Sequence, residues 1–178
     1  MQHAKQTEIK PYALLYELRR QVSYILGKPF TERIDHQIFR PDKMVLARWA
    51  ADCAEHVLPY FEDKYPDDKR PRKAIEALHE WIRTGEFSMK VIRKASLDAH
   101  AAAKGKDEAD AVFAAHAAGQ AVGTAHVVTH AFGSSLYGIR AVAAHTGNVE
   151  NGLVEERDWQ LKLLRKYAKR RITHRFLS

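Results

Sequence analysis

Residues 107–147, DEADAVFAAHAAGQAVGTAHVVTHAFGSSLYGIRAVAAHTG, decide the fold of this chain. Polar and small residues recur there in alternating steps of three and four, which places them along one side of a helix. This stripe consists of His116, Gly119, Gly123, His126, His130, Gly133 and Tyr137. Most of the remaining residues are apolar, and a helix that is apolar nearly all round is a buried central helix. We therefore expect imidazoles enclosed in the core, where each ring needs a partner.

The length of this segment is incompatible with one straight helix. Such a helix would be about 60 Å long, whereas a compact domain of this size is only about 40 Å across. We therefore expect the helix to break, near Gly133 or near Gly119.

The other segments also have the period of a helix, and no convincing strand occurs. Separate helices are expected to begin at Pro11, Pro41, Pro71 and Ser88, a short one after Thr31, and a last one to run from about Leu153 to Ile172. Prolines suit the first turn of a helix, and serine or threonine caps it. The sequence predicts an all-α fold over residues 1–178, a single-domain helical bundle of about six to seven helices around the Ala/Gly/His-rich central helix.

The net charge of +7 is concentrated at the two ends of the chain. Residues 1–40 carry +3, residues 41–154 carry −1 and residues 155–178 carry +5. In the last helix the cations recur at helical spacing and form one basic face: Lys162, Arg165, Lys166, Lys169 and Arg170. Such a face could contact nucleic-acid phosphates, dock an acidic protein partner or simply be solvated.

The sequence indicates a cytoplasmic protein. The first twenty residues contain no uninterrupted apolar segment, so we expect no signal peptide. The single Cys53 excludes an intrachain disulfide and suits a reducing compartment. Three histidines and many alanines between residues 111 and 131 argue against a membrane span, although Gly119 and Gly123 have GxxxG spacing.

Histidine spacing raises the hypothesis of a metal site. His126 and His130 lie four residues apart, as two metal ligands on one helix do, but residue 127 is not the Glu of a metalloprotease motif. Further ligands would have to come from His116, His100, or the pair Asp52 and His56. The alternative is that these rings only make hydrogen bonds within the bundle.

The same residue types allow an acid/base cluster of Asp52, His56, Asp98 and His100. Pairing with a carboxylate would raise the pKa of an imidazole. No nucleophile motif such as GxSxG accompanies these residues, so no catalytic residue can be assigned from the sequence.

Four segments of the sequence resemble those of a family of small bacterial immunity proteins of toxin systems. They are RWAADCAEHVLPYFEDKYPDDKRPRKAIEALHEWIRTGE (48–86), DAHAAA (98–103), AAGQAVGTAHVVTHAFGSSLYGIRAV (117–142) and ERDWQLKLL (156–164). The resemblance covers about residues 40–165. It leaves residues 1–40 as an N-terminal helical extension and 166–178 as a basic tail.

This resemblance implies an all-helical cytoplasmic protein that binds and neutralises a cognate toxin, without catalysis and without a cofactor. Two alternatives come from the residues themselves. One is a metal-binding or acid/base enzyme that uses the His/Asp cluster, and the other is a basic nucleic-acid-binding helical protein.

Overall fold

A computed structural model describes residues 11–33 and 35–175, and within this part of the chain every regular element is a helix. The α-helices are α1 (Pro11–Leu26), α2 (His36–Phe39), α3 (Lys43–Val57), α4 (Pro59–Glu62), α5 (Arg70–Thr84), α6 (Met89–Ala102), α7 (Ala109–Gly123), α8 (His130–Thr146) and α9 (Val149–Arg175), with a 3₁₀ turn at Arg40–Asp42. The prediction of an all-α bundle is confirmed: α2 and α4 are single turns, and seven helices are longer.

The central helix of the bundle is α7. It packs against α3, α4, α5, α6 and α8, and most of its residues are buried, alanines and glycines among them. These small side chains allow neighbouring helices to surround α7 on several sides. The fully buried large side chains, among them Trp49, Phe61 and Phe132, belong to the helices around it.

Helix ends follow the signals in the sequence. Ser88 caps α6 by accepting a hydrogen bond from the Val91 amide, at 3.4 Å. Gly85 ends α5 and Gly147 ends α8, both in the left-handed backbone region that favours glycine.

The expected break in segment 107–147 exists, but its predicted position was wrong. α7 ends at Gly123 and α8 begins at His130, so the chain reverses between them, through residues 124–129. Gly119 and Gly133 lie inside helices instead. The missing Cβ at each of them leaves room for a side chain of a neighbouring helix. α7 and α8 are therefore adjacent antiparallel helices.

Part of the charged termini cannot be compared with the structure. Residues 1–10 of the predicted N-terminal extension and residues 176–178 of the predicted basic tail lie outside the described residues, as do the side chains of 171–175. Within the described residues, no helix is both long and apolar enough to cross a membrane.

Candidate functional site

The first candidate site is a cluster of imidazoles where α6, α7 and α8 meet. His100 on α6 and His116 on α7 share one hydrogen bond between their Nδ1 atoms, at 2.8 Å. One turn along α7, His130 of α8 donates from Nδ1 to Oε1 of Gln120, at 2.7 Å. Tyr137 packs against the His116 ring, with 5.1 Å between ring centroids.

The glycines of the stripe provide space for this cluster. A Cβ added at Gly119 would lie 2.8 Å from Nε2 of His100, and one at Gly123 would lie 3.1 Å from the ring of His130. A Cβ at Gly133 would lie 2.6 Å from Oε1 of Gln120. The GxxxG spacing therefore accommodates side chains, whereas its usual role is to let a second helix backbone approach.

The imidazoles of this cluster favour the neutral form. Burial lowers the pKa of His100, helped by the charges of His116 and His130. Burial also lowers the pKa of His116, with Arg140 adding to the effect, and that of His130, with His126 adding to it. The expectation of fully enclosed rings was wrong, because all three side chains keep partial exposure and His126 is exposed in the turn after α7.

Asp52 and His56 lie four residues apart on α3, but each has its own partner on α9. The Tyr167 hydroxyl donates a hydrogen bond to Asp52, and burial together with this bond raises the pKa of Tyr167 to about 12. His56 donates from Nδ1 to Oε1 of Glu156, at 3.3 Å, and the same nitrogen lies 3.1 Å from Oε2. This hydrogen bond raises the pKa of His56.

Glu156 is a buried carboxylate with two hydrogen-bond partners. Its side chain is 2% exposed and also accepts a hydrogen bond from Nε2 of Gln160, at 2.8 Å. Gln160 is itself held by Ser135 and by the Trp49 indole, which donates to the Gln160 carbonyl at 2.8 Å. This network fixes the carboxylate beside Nδ1 of His56.

Sequence reasoning missed a second buried carboxylate, Asp110. The sequence only places it in the first turn of α7, where acids suit the helix dipole. In the fold it accepts hydrogen bonds from Lys64 and, at 2.9 Å, from Nδ1 of His145. Burial would raise the pKa of Asp110, but these hydrogen bonds outweigh it and the net effect lowers the pKa. No local signal identifies such partners, which lie 46 and 35 positions away.

The metal and acid/base candidates do not meet in one place. Asp52, His56, His100 and His130 have different partners, and Asp98 pairs with Lys94 on its own helix. Among the described residues no group of three or more His, Cys, Asp or Glu side chains could hold a metal ion. The His100–His116 pair alone would supply two ligands, fewer than a typical site needs.

The five cations predicted on the last helix are all exposed on α9. Arg165 also lines a cleft of about 440 Å³. The other residues around this cleft come from α1 and the segment after it: Arg20, Gln21, Ser23, Tyr24, Lys28 and Phe30.

The fold and the hydrogen bonds described above define an all-helical protein. Some of its surface side chains are held in place by buried partners. A family model described as Imm-5 like putative immunity protein matches residues 36–167, more than half of the chain. The chain therefore belongs to this Imm-5 like putative immunity protein family, as its resemblance to small bacterial immunity proteins predicted. Neither the curated proteins nor the solved structures gave a significant match.

Proposed function

We propose that this protein binds a bacterial toxin and neutralises it by occupying its surface. The observation that carries the proposal is the family match over residues 36–167, which includes every helix from α2 to α8 and most of α9. Membership of an immunity family points to a protein partner.

The surface of the bundle supports a binding role. Trp159 is 38% exposed and packs on the His56 ring with 4.1 Å between centroids, while Tyr60 stacks on His145 at 3.9 Å. Both histidines are hydrogen-bonded to buried carboxylates, so these rings are held in place before any partner arrives. Aromatic side chains ordered in advance lose little entropy on binding and are frequent energetic centres of interfaces.

The arrangement gives less support to an enzyme. An acid/base or metal mechanism would need His100, His126, His130 and Asp52 around one cleft. Instead Asp52 binds Tyr167, His100 binds His116, His130 binds Gln120, and His126 is exposed.

Co-expression tests the proposal. The chain is produced in bacteria together with the toxin encoded beside its gene, with an unrelated helical protein as control. We expect growth to be restored and a stable complex to co-purify with an inactivated form of the toxin. Failure to protect against any linked toxin would contradict the proposal, and protection without a complex would contradict the binding mechanism.

A further inference from the structure

The cleft between α1 and α9 is lined by cations and by two aromatic side chains. Arg20, Lys28 and Arg165 surround it, and Tyr24 and Phe30 contribute rings. Tyr24 is 86% exposed, the highest value among the exposed large hydrophobic side chains of the described residues. Arginine and tyrosine are enriched in protein interfaces, and a guanidinium can bind a carboxylate through two parallel hydrogen bonds.

The walls of this cleft are ordered by their own contacts. Glu17 accepts two hydrogen bonds from the Arg20 guanidinium, at 2.8 and 2.9 Å. Lys28 reaches the buried Asp42, with 3.0 Å between Nζ and Oδ2. The Phe30 ring packs edge-to-face on Tyr16 with 4.9 Å between centroids.

The charge available to a ligand comes mainly from α9. Among the described residues, Lys162, Arg165 and Lys166 have no ion pair, and all three are exposed. The spacing of three and four residues puts them on one face, which also carries Trp159. A positive surface therefore runs along α9 from Trp159 to the cleft.

The α1 wall of the cleft lies outside the part of the chain that the family shares. The family match begins at residue 36, whereas the α1 side of the cleft comes from residues 20–30. An immunity protein must select its own toxin among related ones, and specificity requires contacts that differ between relatives. A surface outside the shared region suits that task.

We infer that this cleft, with the adjoining basic face of α9, docks an acidic segment of the toxin that places a carboxylate against Arg165 and an aromatic side chain against Tyr24. This inference rests on the proposed function and names the chemistry of the partner. A cleft of about 440 Å³ accommodates a few side chains of a peptide segment.

Fluorescence anisotropy with the full chain tests the cleft directly. The probe is a short fluorescein-labelled peptide of glutamates around one tyrosine, and its control replaces every glutamate by glutamine. We expect Arg165→Glu to weaken binding of the acidic peptide by about tenfold or more, because a charge-assisted hydrogen bond is lost. Tyr24→Ala should also weaken it without any change in charge.

Lys90→Glu on α6 is the matched control, since Lys90 is exposed and α6 packs mainly against α5 and α7. It makes the same kind of charge reversal away from the cleft and should change binding less than twofold. Thermal melting verifies that every variant is folded. Equal effects of Arg165→Glu and Lys90→Glu, or equal binding of both peptides, would overturn the inference.

Two further arms separate the alternatives. If an oligonucleotide binds more tightly than the acidic peptide and depends on Arg165, the surface is a nucleic-acid site and the inference fails. If the wild type binds the toxin and Arg165→Glu binds it equally well, the inference fails while the proposed function stands. If the wild type does not bind the toxin at all, the proposed function itself fails, and with it the toxin as occupant.

Discussion

Two buried carboxylates in this bundle each bind the imidazole of a surface histidine. Glu156 and Asp110 are 3% and 6% exposed, and each accepts a hydrogen bond from the imidazole of a partly exposed histidine. Each of these histidines in turn packs against an aromatic ring. A buried carboxylate without such partners would be strongly destabilising. The two surface histidines therefore contribute to both stability and the shape of the surface.

The coupling between His56 and Glu156 should depend on pH. The pKa of His56 is raised above its ordinary value of 6.5 by the hydrogen bond to Glu156. The stabilisation by the protonated ring is therefore complete below the unfolded pKa and is lost as the pH rises through the folded pKa. Because the His56 side chain is 43% exposed, we expect a coupling of about 1 kcal/mol or less.

A double-mutant cycle measures this coupling. Urea unfolding of the wild type, His56→Gln, Glu156→Gln and the double variant is compared at about pH 5.5 and about pH 9. The interaction energy should fall towards zero at the higher pH. An interaction energy that is equal at both values would show that the charge of His56 does not contribute.

The sequence indicated which side chains need partners but not which partners they have. A polar residue on an apolar face predicts a hydrogen bond within the bundle, as His116 and His130 showed. The partners are far away in the chain: Glu156 lies 100 positions from His56, and Tyr167 lies 115 positions from Asp52. Only the packing of α3 against α9 brings these pairs together.

At the scale of elements, periodicity and end signals predicted the helices well. The start of α5 near Pro71, its end at Gly85 and the cap of α6 at Ser88 all follow from local chemistry. The position of the break in segment 107–147 did not follow from local chemistry, because a glycine in such a segment can have two roles. At Gly119 and Gly133 it makes room for a neighbouring side chain, and such a glycine inside a helix cannot be distinguished by sequence from one that ends it.

Gly123→Leu should destabilise the α7–α8 pair. Its side chain would meet the His130 ring, whose atoms lie 3.1 Å from the position of a Cβ. Overpacking costs about 1–3 kcal/mol, and replacing glycine in a helix offsets up to roughly 1 kcal/mol of that cost. We expect a net loss of up to about 2 kcal/mol in the free energy of unfolding, measured by urea denaturation.

The control is Ala109→Leu, which adds carbons to an exposed position in the first turn of the same helix and should be nearly neutral. His130→Ala tests whether the His130 ring causes this loss of stability. If the ring is the obstacle, the double variant Gly123→Leu/His130→Ala will lose less stability than the sum of the two single variants. Strict additivity would mean that another neighbour is responsible.

At the scale of the whole molecule, local stability should differ between the helices. α7 is surrounded by five helices, whereas α1 packs mainly against α8 and α9. The segment before residue 36 also lies outside the family match. The sequence predicted the central position of α7, from the apolar residues of segment 107–147.

Native-state hydrogen exchange should reveal this difference. Amides of α7 should exchange most slowly, with free energies close to global unfolding, and those of α1 fastest among the longer helices. The measurement is amide exchange followed by NMR or mass spectrometry on the full chain. Equal protection of α1 and α7 would mean that α1 unfolds only together with the rest of the bundle.

The reversal at residues 124–129 has a kinetic consequence. It makes the central helix α7 and its neighbour α8 consecutive in the chain, so their contacts require closure of only a short loop, which costs little entropy. Local contacts of this kind favour rapid folding. The α7–α8 pair in the middle of the chain can therefore form early in folding. Helices α1 and α9, which line the cationic cleft, can then pack against it.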